Sequence, residues 1–243
     1  MKKLLAFAAA AVLSFSALAT PFSFPSPIPK VHVSRASLQL LNHFGWGFHA
    51  FGYNEDPAFD AHTSFGRNRE IFFNLFQLEV YPSSFSSISL GADLNWDTYR
   101  LSDTWFWLPD KEKGSVEAVR CSDYGYYSVK KATLRTFGFD IPLDFTYTYG
   151  RMDITLGVAA ELNFLGRTKF KGIRAEDSVL EKHTTSGTRY RSTNVKTNTA
   201  TMNVHLMVTY SGLGLYAKYC PLPQFSEGYG PQFTTWTVGL LLR

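Results

Sequence analysis

Six carboxylates, Glu79, Asp93, Asp97, Asp140, Asp144 and Glu161, fall at positions where a chain alternating in polarity turns them all to one side. Grouped carboxylates can move protons, hold cations, or form a hydrated hydrogen-bonded lining. The basic groups on the same parity are His205 and Lys218, with His49 beside them. No Ser-His-carboxylate set is fixed by spacing. His43 and His49 share a face but stand six residues apart, which is no recognised metal-ligand spacing. The carboxylates therefore read as a wet polar lining, with a narrow cation-favouring passage as the alternative. No catalytic, cofactor-binding or metal-binding residue is assigned, and the chain reads as a non-enzyme. A small lipid-modifying enzyme is the reading held against that one.

Two other groups carry chemistry. Cys121 and Cys220 are the two cysteines of the chain, and pairing is permitted if the chain is exported. A stretch after residue 165 is rich in cations. There Arg167, Lys169, Lys171 and Arg174 are the expected contacts to anionic lipopolysaccharide, and nucleic-acid binding has no support beyond that basicity. Trp105, Phe106 and Trp107 alternate in a way that reads as strands continuing past the main body, or as an aromatic surface for an unknown partner.

The elements that must position these groups are strands, because apolar residues recur every second position. Ile154, Leu156, Val158, Ala160, Leu162 and Phe164 oppose Thr155, Gly157, Glu161 and Asn163. The same pattern runs through 137–147, 202–210, 88–96 and 235–242, and more briefly through 213–219. Segments 40–51 and 71–81 carry apolar residues on both faces, with Asn42 and Asn74 expected outward. About eight strands result. Long connections (53–69, 99–132, 166–199 and 220–231) alternate with tight ones at 82–87, 148–151 and 211–212. With a turn at Tyr149-Gly150, Glu161 is expected opposite Gly138 and diagonal to Asp140.

Residues 1–19 have the layout of a cleaved secretory signal. Lys2 and Lys3 precede an apolar run from Leu4 to Leu13, and Ala17-Leu18-Ala19 precedes Thr20, placing cleavage between Ala19 and Thr20. The run is too short to span a bilayer as a helix. Cleavage removes two lysines, so the net charge falls from +4 to +2. Residues 20–35, with four prolines, read as an extended periplasmic leader, and residues 36–243 as one all-β domain.

Strand parity alone does not separate inside from outside, and a soluble lipocalin-like carrier alternates as well. The strand centres hold almost none of the 24 Lys and Arg, and one face is bulky and aromatic. A soluble outer wall carries charges of both signs, whereas a lipid-facing wall cannot. Tyr81, Tyr147 and Tyr210 end strands on the short-turn side; Trp96, Phe164, Tyr219 and Trp236 lie at the opposite ends. Two such aromatic girdles are what a membrane barrel shows.

On these features, and on the terminal run Thr237-Val238-Gly239-Leu240-Leu241-Leu242-Arg243, the mature chain resembles the porin-like outer-membrane β-barrel proteins. It departs from them at Arg243, where that family carries an aromatic. The resemblance implies a closed antiparallel up-and-down transmembrane β-barrel in the cell outer membrane, inserted by the barrel-assembly machinery. It would lie among outer-membrane lipid and lipopolysaccharide, with no cofactor. Eight strands enclose a space that side chains nearly fill, so little or no diffusion pore is expected. The role is then structural, or surface-binding through long extracellular loops.

Overall fold

A computed structural model of the chain describes residues 35–54, 67–101, 104–174, 189–192 and 195–243. The expected cleavage site at Ala19 and Thr20 lies outside them, as does nearly all of the leader. The described chain is all-β apart from a single 3-10 turn at Ser122–Tyr124.

The strands, in chain order, are β1 (Arg35–Leu40), β2 (Phe44–Asn54), β3 (Arg69–Ser83), β4 (Ser86–Arg100), β5 (Trp105–Pro109) and β6 (Val116–Arg120). They continue as β7 (Tyr126–Tyr149), β8 (Met152–Arg174), β9 (Arg189–Ser192), β10 (Ala200–Tyr210), β11 (Leu213–Cys220) and β12 (Phe233–Leu242). The sheet runs β2-β3-β4-β7-β8-β10-β11-β12, and β12 pairs back onto β2. Every pairing is antiparallel, so the strands form a ring. The ring is staggered. Stepping between register partners from Tyr210 through Leu213, Leu242, Phe44, Phe73, Leu94, Phe139 and Leu162 returns to the starting strand at Ala200, ten residues along.

One end of the ring is closed by short turns. Two-residue turns at Ser84-Phe85, Gly150-Arg151 and Ser211-Gly212 join consecutive strands. Gly150 (φ 64°) and Gly212 (φ 88°) sit in the left-handed region that glycine enters without steric cost. Because the middle turn is Gly150-Arg151 and not Tyr149-Gly150, the β7–β8 register places Glu161 directly opposite Asp140; Gly138 faces Asn163.

The apolar face points outward. Leu156 and Val158 are 58% and 44% exposed, as are Leu206, Val208, Leu215, Val238, Leu240 and their neighbours to similar degrees. The inward face is mostly Ser, Thr, Asn, Gln, His and carboxylate, nearly all buried, with one apolar cluster of Phe72, Met207, Tyr216 and Leu241 among them. Small residues make room for large inward ones. A Cβ at Gly157 would fall on the His205 ring, and one at Gly47 on the Tyr216 hydroxyl.

Two bulges account for the segments with apolar residues on both faces. In β3 the register slips between Asn74 and Phe76. Phe72 and Asn74 point inward before the slip; Gln77 and Glu79 do so after it. Asn74 is thus buried in the lumen and not outward, and Asn42 turns toward it, donating from Nδ2 to Gln77 Oε1 at 2.8 Å. The expected strand over 40–51 is broken at Leu41 (φ 52°), so β1 pairs the second half of β3 and β2 the first half. A second slip, at Phe164-Leu165 in β8, turns Gly166, Thr168 and Phe170 inward beyond it.

At the end opposite the short turns the connections fold into a cap. β5 and β6 form a separate hairpin, so the Trp105–Trp107 alternation does not continue the ring wall as expected. Trp107, Val116, Val195 and Phe225 meet Tyr99, Leu101, Leu134 and Phe233 in one apolar layer. Backbone bonds from Val116 to Tyr229, Lys196 to Gly114 and Asn198 to Gln224 tie the connections to one another. The wall does rise above its neighbours elsewhere: β7 and β8 run 24 and 23 residues, and β9 adds to the edge of β8.

Candidate functional site

Two features could carry function: the polar lumen and a basic stretch of outer wall. All six expected lumen carboxylates, Glu79, Asp93, Asp97, Asp140, Asp144 and Glu161, are inward and buried, and Glu70 joins them. The basic groups that face them come from distant strands. Lys218 on β11 bonds Glu70 on β3 and lies 3.3 Å from Asp140 Oδ2 on β7. Tyr216 donates its hydroxyl to Glu70 at 3.0 Å, and Lys218 Nζ lies 5.4 Å from the centre of the Phe72 ring. His205 Nε2 sits 2.8 Å from Asp144 Oδ1, and His43 Nε2 3.4 Å from Asp93 Oδ2, which also accepts from Asn74 at its other oxygen. Glu79 accepts from Ser87, Gln39 and the Tyr81 hydroxyl.

The last residue completes this lining. The Arg243 amide donates to Gly212 O at 2.7 Å, and its guanidinium reaches Asp153 Oδ2 at 3.3 Å and Glu79 Oε1 at 3.9 Å. Arg243 thus places a cation at the short-turn mouth of the ring. A small cavity there is lined by His43, Gln77, Asp144, Thr155, Met207 and Arg243.

One arrangement escaped the sequence reading. Thr237 Oγ1 lies 2.7 Å from His49 Nδ1, and His49 Nε2 lies 2.9 Å from Asp97 Oδ1. The second contact has ion-pair distance without hydrogen-bond alignment. A hydroxyl, an imidazole and a carboxylate in a row have the composition of a nucleophilic triad. Here Thr237 is 2% exposed and the Tyr99 ring stacks on His49 at 5.0 Å beneath the cap, so no substrate carbonyl can approach the hydroxyl. Among the described residues no three His, Cys, Asp or Glu side chains are grouped to hold a metal ion. Several buried polar atoms, among them Asp140 Oδ1, Asn95 Oδ1, Asn203 Nδ2 and Thr201 Oγ1, have no protein hydrogen-bond partner. Atoms of this kind are the ones internal water satisfies.

The two cysteines are free and buried, and the pairing that export would permit is not formed. Cys121 lies in an apolar cluster with Phe106, Tyr126, Ala132 and Phe170, where burial pushes its thiol up to about 11. Cys220 ends β11 on the inward face and bonds Leu222 O.

Of the expected girdle residues, Trp96, Phe164, Trp236, Tyr147 and Tyr210 are exposed on the outer wall, and Tyr219 stacks on Trp236 at 4.1 Å. Trp96 packs between Phe73 and Phe137. Tyr81 is a correction. It shares the parity of Glu79, two residues before it, so it turns to Glu79 and Ser37 and is no part of the outer girdle. Phe85, packed edge-on against Tyr147, and the exposed Tyr149 stand in that region instead.

Arg167, Lys169, Lys171 and Arg174 lie on β8 and not on a loop. The register sets Arg167 against Arg135, Lys169 against Thr133 and Arg191, and Lys171 against Lys131 and Arg189; Arg174 faces Tyr126. On the other side of β7, Arg100 of β4 faces Thr133. Burial, and then the charges of Arg135, Lys169 and Arg100, hold the Lys131 ammonium below its ordinary pKa. The notable loop aromatics are mostly interior: Phe106, Trp107 and Tyr126 are buried, and Tyr124 is exposed.

No model of a known protein family matches the chain. No curated protein matches it either.

Proposed function

We propose that the chain is an integral outer-membrane protein whose ring is a closed, up-and-down barrel of eight strands. Its role is structural or surface-binding, through the capped outer end, with little or no diffusion pore. The observation that carries this reading is the inversion of its faces: Leu, Val, Ile and aromatic side chains outside, buried carboxylates, amides and histidines inside. Exposing one large apolar side chain to water instead of burying it costs about 1.5–3 kcal/mol. A continuous belt of them far exceeds the few hundred Å² that soluble surfaces tolerate. Acyl chains remove that cost. A carrier for apolar ligands needs the opposite arrangement.

Dimensions support the same reading. A ten-residue stagger over eight strands, with ~3.3 Å per residue and ~4.8 Å between strands, tilts the strands by roughly 40°. Ten residues so tilted rise about 25 Å, the height of a barrel's apolar band. An even strand number puts both ends of the ring's chain at the short-turn, periplasmic side and the cap outside. The terminal strand then stands where the barrel-assembly machinery would meet it. The ion pairs that cross the interior and the cap over one end, among the described residues, support a structural wall over a cation passage.

Fractionation of cells making the full chain, with protease shaving of intact cells, tests this. The chain should sediment with outer membrane and be cut in its long connections. A full chain that stays folded and monodisperse in buffer without detergent overturns the proposal. Steady current through planar bilayers would overturn its closed-lumen part.

A further inference from the structure

We infer that the outer face of β4, β7 and β8, just above the upper aromatic girdle, is a docking surface for the phosphates of an outer-leaflet glycolipid. This rests on the membrane reading and adds to it a specific lipid site.

The girdle row across these strands is Trp96, Phe137 and Leu165. Two residues further along each strand, the same outward face carries Thr98, Arg135 and Arg167. The next row is Arg100, the buried Thr133 and Lys169, and the one beyond it Lys131 and Lys171. Below the girdle the exposed wall is apolar; above it, within two or three rows, it is cationic. That is the height at which acyl chains give way to head groups.

Strands lie ~4.8 Å apart and same-face rows ~6.6 Å apart, so neighbouring cations here are spaced to share one phosphate. Like charges directly opposite each other on a sheet repel. Arg135 faces Arg167 and Lys131 faces Lys171, and among the described residues no carboxylate forms an ion pair with Arg100, Lys131, Arg135, Arg167, Lys169 or Lys171. An isolated solvated face places its cations among anions; among the described residues this one pairs them with none, at the edge of an exposed apolar belt. An anion fixed at that level supplies the missing charge, and phosphate accepts several charge-assisted hydrogen bonds at once. Burial first, and then the charges of Arg135, Lys169 and Arg100, hold the Lys131 ammonium below its ordinary pKa. A lipid phosphate fits better than a free one because the site continues without a break into exposed Trp96, Phe164 and Leu165, which acyl chains would cover.

The test uses the refolded full chain in neutral-detergent micelles, titrated with diphosphorylated lipid A, its dephosphorylated counterpart and inorganic phosphate. The wild type should bind the diphosphorylated lipid at least tenfold more tightly than the dephosphorylated one, with inorganic phosphate competing poorly. The variant Arg135→Gln/Arg167→Gln/Lys169→Gln, checked for unchanged heat-dependent gel mobility, should lose that preference. Equal binding of both lipids, an unchanged preference in the variant, or complete displacement by inorganic phosphate overturns the lipid site while leaving the barrel standing. A wild type that needs no detergent overturns both.

Discussion

Leu206→Arg separates a lipid-facing wall from a water-facing one by magnitude. Leu206 lies on β10 between Leu156 and Ala217, with its side chain 44% exposed. It stands four residues from Tyr210, the lower girdle residue of that strand. With ~3.3 Å per residue and a tilt of roughly 40°, that is a rise of about 10 Å, close to the middle of a band about 25 Å tall. Arginine at the midplane should cost about 2–4 kcal/mol and at the interface about 0–1 kcal/mol. Tyr210→Arg, on the same strand and the same face, is therefore the control. Urea unfolding of the refolded protein in phospholipid vesicles, followed by tryptophan fluorescence, gives both values. On a water-facing wall each substitution stays within about 0.5 kcal/mol of wild type. Leu206→Arg and Tyr210→Arg of equal stability would refute the depth argument and the membrane placement with it.

Lys218→Met strands Glu70 and Asp140 without their shared cation and should cost about 3–5 kcal/mol in the same assay; adding Glu70→Gln should recover part of the loss. Burial raises the Cys121 thiol from the ordinary 9.0 to about 11, so at pH 8 its thiolate is about a hundredfold scarcer. In a Cys220→Ser background, maleimide should react about that much more slowly with folded than with urea-unfolded protein, and equal rates would contradict the buried placement. Trp107→Ala removes the centre of the cap layer and should lower cap stability by about 3–5 kcal/mol. Limited proteolysis should then cut between β5 and β6 faster, with the ring's gel mobility unchanged. Gly157→Val drives a side chain into His205 and should destabilise the ring, whereas the same change at Gly150, where nothing lies within 4 Å, acts through its positive φ alone.

Period-two patterning locates six strands of the ring cleanly, because each buries one face and exposes the other; β2 and β3 blur it, through a break at Leu41 and a slip after Asn74. What it could not show follows from single residues. One extra residue at Leu75 or at Phe164-Leu165 exchanges the two faces beyond it, so a single parity running through β3 puts Glu79 inward and Asn74 outward, and only Glu79 correctly. The lumen carboxylates were legible because parity alone places them. Their partners were not, since whether His43 meets Asp93 or Lys218 meets Glu70 depends on stagger between strands far apart in sequence. The cap was hidden for a different reason. Trp105 to Trp107 alternate as any strand does, and only the pairing of β5 with β6 reveals a separate hairpin. The cations after residue 165 were read as loop residues because a lipid-facing pattern ends at Phe164, although the backbone pairing continues to Arg174.

The seam between β2 and β12 joins the ring's earliest strand to its latest; the His49–Thr237 contact across it spans 188 residues. Holding the ends of so long a segment together carries an entropic cost on the order of 5 kcal/mol beyond a fixed constant. Until β12 reaches β2 the sheet presents two open strand edges, the kind that invite aggregation. Closure thus depends on the pairing of the two strands most distant in the ring's sequence, and a variant whose β12 cannot pair leaves both edges bare.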